Sequence, residues 1–160
     1  MHFDASSIIY AWDEYPINNF PAFWGWVATQ IAAGSCRISE VALDEVEHKY
    51  QECANWLKEK GITRVGLTDE ILNQANEIKE LLEIEEEAYG KGVDEKDLLI
   101  IATAKMESVT LLTQEQRQPT QPFLLKKNYK IPAVCELSEV NIPHQNVREW
   151  ILGSGEVFGR

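Results

Sequence analysis

Short apolar runs alternate along the chain with longer stretches in which apolar residues recur every three or four positions. The periodic stretches predict helices, and the short runs are typical of buried strands. Strands separated by helices predict an α/β fold, a three-layer α/β/α arrangement around a mainly parallel central sheet. The predicted strands lie within residues 2–6, 36–39, 62–67, 108–113 and 137–143.

The helical stretches have recognisable starts and stops. The aromatic-rich helix from Phe20 stops at Gly34, and Gly61 closes one or two helices that begin at Glu40. Thr68 is a candidate N-cap for a long helix over 68–90. Further helices are predicted after the first strand, from Asp94 and over 144–153. Because no linker or repeat divides the chain, we expect one domain spanning residues 1–160.

Four acidic residues occupy special places in this pattern. Asp4 follows the first apolar run, Glu45 lies on the helix after the second strand, Asp97 begins an apolar helix, and Glu115 follows the strand at 108–113. Since ligands of open parallel sheets bind at the carboxyl ends of the strands, we expect these carboxylates to converge. Bare carboxylates would repel one another, so bound divalent cations explain the cluster best.

Oxygen ligands without histidine or cysteine favour Mg²⁺ or Mn²⁺ over zinc. Such an ion activates water and stabilises the charge that develops on an attacked phosphodiester. Spacing alone leaves another interpretation for each acid, because the chain has 26 Asp and Glu residues and most must be solvated. Asp94 and Asp97 could instead stabilise a helix N-terminus, and Asp44 and Glu47 compete with Glu45 for the inward position.

The order of these motifs resembles the PIN-domain family, metal-dependent ribonucleases that include the VapC-type toxins of toxin–antitoxin pairs. The family's opening Asp-Thr-Asn/Ser motif and apolar helix are similar to the segment from Asp4 to Ile9. The segment NNFPAFWGWV resembles a less characterised PIN subfamily. The other matching segments are Glu45-Val46, the run from Asp97 to Ala104, and Thr113-Gln114-Glu115, which stands where the family has Thr-x-Asp.

The resemblance implies an endoribonuclease that hydrolyses RNA with a metal-activated water, without a side-chain nucleophile. It implies Asp4, Glu45 and Asp97 as primary ligands of Mg²⁺ or Mn²⁺, with Glu115 auxiliary and Asp94 acting through water. It also implies a toxin whose partner is an antitoxin with a helix-turn-helix domain. The residues expected to support the ligands or the substrate are Ser6, Thr113 and Arg117.

Two positions depart from the family pattern. Ala5 stands where the family has threonine, although Ser6 retains a hydroxyl that can orient Asp4 or hold a ligand water. Glu115 replaces an aspartate, so its carboxylate reaches one methylene farther and would hold a cation through water, or not at all. These departures favour an alternative function, a catalytically weak binding module that acts through a protein partner. A dehalogenase-type phosphatase ranks last, because Ser6 stands where that chemistry needs a second aspartate.

Composition narrows the class of partner. The formal net charge of −11 argues against binding nucleic acid through a basic face, yet it allows a nuclease whose carboxylates are neutralised by cations. The densest positive charge, Lys126, Lys127 and Lys130 near Arg117, either holds an RNA backbone or is a solvated loop.

No apolar run suits a membrane span or a signal sequence, and the three cysteines have no metal-site spacing. We therefore expect a cytoplasmic protein that needs no membrane. A second copy of the chain, forming a homodimer, is a further candidate partner.

Overall fold

Five short parallel strands form the centre of the fold in the computed structural model, which describes residues 1–119 and 124–159. The order across the sheet is β3-β2-β1-β4-β5, and every neighbouring pair is parallel. Helices flank the sheet in the predicted α/β/α arrangement, so the predicted fold class is confirmed. The strands are β1 (His2–Phe3), β2 (Arg37–Ser39), β3 (Thr63–Val65), β4 (Leu111–Leu112) and β5 (His144–Gln145).

The strands are separated by helices, as the hydrophobic pattern predicts. A 3-10 turn at Lys126–Asn128 precedes the short helix α7. The helices are α1 (Ala5–Glu14), α2 (Pro21–Ala32), α3 (Glu40–Lys49), α4 (Gln51–Glu59), α5 (Asp69–Leu81), α6 (Glu95–Glu107), α7 (Ile131–Cys135) and α8 (Val147–Ser154).

Side-chain caps fix where several helices begin. Thr68 accepts a hydrogen bond from the Ile71 backbone N–H, which confirms its prediction as an N-cap. Ser39 caps α3 by accepting from the Ala42 N–H, directly after β2 ends. Asp4 caps α1 in the same way, so the chain turns from strand to helix at a carboxylate.

The strand order reverses next to β1, and this reversal places the site. From β1 the chain moves to β2 and β3 on one side, and then crosses to β4 and β5 on the other. The Asp4 backbone N–H donates to the Leu112 carbonyl at 2.9 Å, which joins the ends of β1 and β4. A crevice opens outside the strand ends at such a reversal, and it is the usual ligand site of this sheet type.

The core packs against both faces of the sheet and includes an aromatic cluster. Phe3 and Ile38 of the central strands are fully buried. Trp24 is 2% exposed, and its ring lies 5.3 Å from that of Trp12 and 5.0 Å from that of Trp56. Most of the aromatic-rich segment therefore serves packing, although Phe20 is 42% exposed.

Two predicted elements are wrong in their extent. The helix predicted over 68–90 ends at Leu81, because Glu83 and Glu86 adopt left-handed φ angles of 59° and 49°. If the helix continued, Glu83 would lie beside Glu86 and Glu87 at three- and four-residue spacing, and such like-charge pairs disfavour a helix. The last strand is β5 rather than 137–143, a segment that turns at Asn141 with φ of 49°.

Within residues 1–119 and 124–159, no helix combines the length and apolar character needed to cross a bilayer.

Candidate functional site

A cleft of about 460 Å³ opens at the carboxyl ends of β1 and β4. Its walls come from α1, α3, α6 and the segment after β4, so residues far apart in sequence meet there. The cleft brings together all four predicted metal ligands and Asp94, which is expected to act through water. The acidic residues lining it are Asp4, Glu45, Asp94, Asp97 and Glu115.

Asp4 is the most firmly held carboxylate in the cleft. It is 2% exposed, and its Oδ1 accepts from the Ser7 backbone N–H at 2.7 Å. Its Oδ2 accepts from the hydroxyls of Ser6, at 2.7 Å, and Thr113. Burial raises the pKa of Asp4 to about 6 despite these donors. Ser6 and Thr113, predicted as supporting residues, therefore orient this carboxylate.

Ser6 also connects the two strand ends. Its Oγ accepts from the Gln114 backbone N–H at 3.0 Å, directly after β4 and Thr113. The hydroxyl thus couples the first turn of α1 to the segment that carries Glu115. Ala5, the residue that departs from the family pattern, is 5% exposed, packs in the core and also lines the cleft.

Asp97 caps helix α6 and also lines the cleft. Its Oδ2 accepts from the Asp94 backbone N–H at 3.0 Å, while Asp94 Oδ1 accepts from the Asp97 N–H at 2.9 Å. This reciprocal pair is a capping box at the start of α6. Asp97 nevertheless lines the cleft, where burial, with the charges of Asp94 and Glu115 adding to it, raises its pKa to about 8.

Glu45 is the acid of α3 that faces the cleft. It is half-buried, and burial raises its pKa, with the charges of Asp94 and Glu115 acting in the same direction. Asp44 is exposed to solvent, and Glu47 pairs with Lys58 of α4. The packing of α3 therefore determines which of Asp44, Glu45 and Glu47 faces the cleft, a choice that the sequence alone left open.

The Glu115 side chain, one methylene longer than aspartate, extends to helix α7. Its Oε2 accepts from the Ile131 backbone N–H at 3.1 Å, at the first residue of that helix. The carboxylate thus fixes the segment after β4 while it lines the cleft. Among the described residues, only Oε2 of Glu115 accepts a hydrogen bond, so Oε1 can contact a ligand.

Charge in the cleft is poorly balanced. The described residues that line it include one cationic side chain, Lys49, beside five carboxylates. Burial raises the pKa values of Asp4, Glu45 and Asp97, and the neighbouring charges of Asp94 and Glu115 raise those of Glu45 and Asp97 further. A divalent cation would relieve this repulsion.

The donor chemistry of the cleft fits Mg²⁺ or Mn²⁺. It supplies carboxylate and hydroxyl oxygens, which these ions prefer, while the three cysteines are buried elsewhere. Across residues 1–119 and 124–159, no three Asp, Glu, His or Cys side chains are already arranged to hold one ion. Binding would therefore require carboxylates to turn toward the cation. Glu45 can turn most easily, since it forms no hydrogen bond with the described residues.

The basic residues predicted to support RNA lie outside the cleft lining. The Arg117 guanidinium donates to Glu149 Oε1, in the capping box of α8. Lys126 and Lys127 lie in the 3-10 turn, and Lys130 precedes α7. Conversely, the sequence interpretation overlooked Tyr10 and Lys49, which line the cleft. Helical spacing could have identified both residues, since Tyr10 lies four positions after Ser6 and Lys49 lies four positions after Glu45.

The raised pKa values predict how stability depends on pH without a cation. Between about pH 4 and pH 8 the folded protein binds more protons at Asp4 and Asp97 than the unfolded chain does. These two groups therefore destabilise the fold progressively as the pH rises through this window. Asp97→Asn should raise the melting temperature in EDTA at pH 8 and leave it nearly unchanged at pH 4. An equal change at both pH values would contradict the assigned pKa.

Comparison with known families gives one match. A family sequence model described as a domain of unknown function (DUF4411) matches residues 1–152. The match spans all five strands and every residue that lines the cleft. A search of curated proteins gave no match.

Proposed function

The chain belongs to the DUF4411 family, and we propose that it is a Mg²⁺- or Mn²⁺-dependent endoribonuclease. The observation that carries this proposal is the cleft at the switch point of the sheet, where Asp4, Glu45, Asp97 and Glu115 come together. Buried carboxylates are usually paired with cationic groups, whereas these line one cleft, and the pKa values of Asp4, Glu45 and Asp97 are raised. A cation site explains why such an arrangement persists.

The residues divide into holding and positioning roles. Asp4, Glu45 and Asp97 would hold the cation, and Glu115 would assist. When bound, Mg²⁺ or Mn²⁺ supplies an activated water and stabilises the negative charge of the attacked phosphodiester. Ser6 and Thr113 keep Asp4 in a single orientation through their hydroxyl donors. In the overall hydrolysis an oxygen of water bonds to phosphorus, one P–O ester bond breaks, and the departing oxygen takes a proton.

The order of binding follows from charge. Without a cation the cleft is negative and the whole chain carries a formal charge of −11, so it repels an RNA phosphate. A bound cation would offset part of this negative charge and provide a positive point that attracts the scissile phosphate. We therefore expect RNA to bind only when the cation is present.

The resemblance to PIN-type toxins supports a role as the toxin of a toxin–antitoxin pair, bound by an antitoxin with a helix-turn-helix domain. The acidic surface would suit a basic segment of such a partner. Cys36, Cys53 and Cys135 are free and buried, which supports a reducing, cytoplasmic location. A homodimer stays a prediction from the sequence.

A second candidate is a catalytically weak binding module with the same fold. Two contacts favour it: the Asp97 carboxylate caps α6, and Glu115 bonds the α7 backbone. If these contacts persist with Mn²⁺ present, the carboxylates serve structure and the cleft lacks a complete ligand set. Tight protein binding without RNA cleavage would be its signature.

Substitution of Glu45 tests the proposal with a matched neighbour as control. Glu45→Gln should lower the rate of Mn²⁺-dependent RNA cleavage by about a hundred-fold, because a cation ligand loses its charge. Asp44→Asn removes the adjacent, exposed carboxylate of the same helix and should leave the rate unchanged. Initial rates on a labelled RNA at saturating Mn²⁺ give the comparison. Equal rates for the two variants would contradict the role of Glu45, and no cleavage by any form would favour the binding module.

A further inference from the structure

The cleft extends beyond its acidic end. Tyr10 lies one helical turn after Ser6 on α1, and Lys49 lies one turn after Glu45 on α3. Residues at this spacing share one helix face and lie about 5–6 Å apart. Both side chains line the same cleft as the carboxylates, and α1 packs directly against α3. The same cleft therefore has carboxylates at one end and, one helical turn away, the ring of Tyr10 and the ammonium group of Lys49.

Tyr10 differs from the other aromatic residue of α1. The ring of Trp12 contacts those of Trp24 and Trp56 in the core. Tyr10 is half-buried and partly packs on the core, but within the described ranges it contacts no other aromatic ring, and its hydroxyl forms no hydrogen bond. Part of its ring therefore remains available as a wall of the cleft.

Lys49 has a structural alternative, since a lysine in the last turn of a helix stabilises the helix dipole. It is exposed and is the last residue of α3, as this alternative requires. However, Lys49 also lines a cleft with five carboxylates, and among the described residues it forms no ion pair. Its neighbour Lys58, by contrast, is paired with Glu47. Within the described ranges, Lys49 is thus a positive charge of the cleft that acts on Glu45, where it lowers the pKa against the larger effect of burial, without forming an ion pair.

From this juxtaposition we infer that Tyr10 and Lys49 form a nucleotide subsite next to the scissile phosphate. Tyr10 stacks on an unpaired base, and Lys49 pairs with the phosphate that follows along the strand. A base in an A-form duplex is covered by its neighbours, so only a single-stranded segment can present one to the ring. The subsite therefore selects single-stranded over duplex RNA. The inference rests on the proposed function, because the acidic end must hold the scissile phosphate.

The test uses conservative and disruptive variants of the full chain. Tyr10→Leu should raise KM for a single-stranded RNA about ten-fold, the lower part of the range for one base stacked on an aromatic ring. Tyr10→Phe keeps the ring and should retain the wild-type KM. Lys49→Gln should also raise KM, and it should weaken the dependence of binding on salt. Lys60→Gln, at the exposed end of α4, controls for a role at a helix C-terminus.

Fluorescence anisotropy of a short labelled single-stranded RNA in Mn²⁺ separates this inference from the proposed function. If the wild type binds this RNA without cleaving it, the ribonuclease proposal fails, while weaker binding by Tyr10→Leu still supports the subsite. Calorimetry should give the same Mn²⁺ affinity for wild type, Tyr10→Leu and Lys49→Gln. The subsite is overturned if Tyr10→Leu binds like the wild type, if Tyr10→Phe loses as much affinity as Tyr10→Leu, or if a duplex of the same sequence binds equally well.

Discussion

Asp4→Asn is expected to reduce Mn²⁺-dependent RNA cleavage about a thousand-fold, a larger loss than for any other single carboxylate of the cleft. Asp4 lies at the centre of the site, 2% exposed, at the joined ends of β1 and β4. Its position is fixed by hydrogen bonds from Ser6, Ser7 and Thr113. Asparagine keeps the shape but removes the charge that a cation needs.

The fold should survive this substitution. The asparagine oxygen can still accept from the Ser7 N–H and cap α1. Because burial raises the pKa of Asp4 to about 6, removing its charge should not destabilise the cation-free protein at pH 8. Asp13→Asn is the control, since it removes an exposed carboxylate of the same helix.

The role of Asp4 is tested by measuring the cleavage rate and, by calorimetry, the Mn²⁺ affinity of both variants. Asp4→Asn should lose both cleavage and most of its cation affinity, while Asp13→Asn should match the wild type. Cleavage by Asp4→Asn at more than about a tenth of the wild-type rate would remove Asp4 from the cation site.

Gly92→Ala is expected to produce the largest loss of stability, about 2–3 kcal/mol in the free energy of unfolding. A Cβ at position 92 would lie 2.0 Å from the Tyr129 carbonyl oxygen and 2.5 Å from the Asn128 carbonyl carbon. Both contacts are backbone atoms, so no side chain can turn away to make room. The adjacent Val93 N–H donates to the same Tyr129 oxygen at 2.8 Å and would be displaced.

The effect should reach the site, because Gly92 lies two residues before Asp94. The contact with 127–129 fixes the chain as it enters α6, whose capping box holds Asp97. Gly92→Ala should therefore weaken Mn²⁺ binding as well as stability.

Gly25→Ala provides the matched control for this substitution. Gly25 lies within α2, and a Cβ there meets nothing within 4 Å. Alanine should stabilise this helix by about 0.5–1 kcal/mol, since glycine loses more backbone entropy on folding. Urea unfolding of both variants measures the difference, and a Gly92→Ala protein as stable as the wild type would contradict the close packing.

The alternation of strands and helices could be predicted because burial imposes a period on the sequence. Where apolar residues are buried in other ways, the prediction fails. Val140 and Ile142 are buried, yet they belong to a turning segment rather than to a strand. The real last strand is the polar pair His144–Gln145, which is defined by its pairing with β4 and not by side-chain burial.

Some residues of the candidate site could be predicted from the sequence, and others could not. A carboxylate in a short apolar run is costly, so Asp4 was conspicuous in the sequence. Glu45 was not, because packing of α3 rather than local spacing turns it toward the cleft and leaves Asp44 exposed. The position of Asp97 in the sequence fits both a capping box and a ligand, and in the structure Asp97 forms the capping box and also lines the cleft.

The central claim is that this cleft hydrolyses RNA with the help of a cation, and one measurement tests it most directly. Purified protein is incubated with an end-labelled single-stranded RNA in Mn²⁺ or in EDTA, beside Asp97→Asn, and the new ends are identified. We expect internal cleavage by the wild type in Mn²⁺ alone, leaving a linear phosphate on one fragment and a hydroxyl on the other, because the attacking oxygen comes from water. Cleavage that persists in EDTA or in Asp97→Asn, cyclic phosphate ends, or no cleavage in Mn²⁺ would contradict the claim.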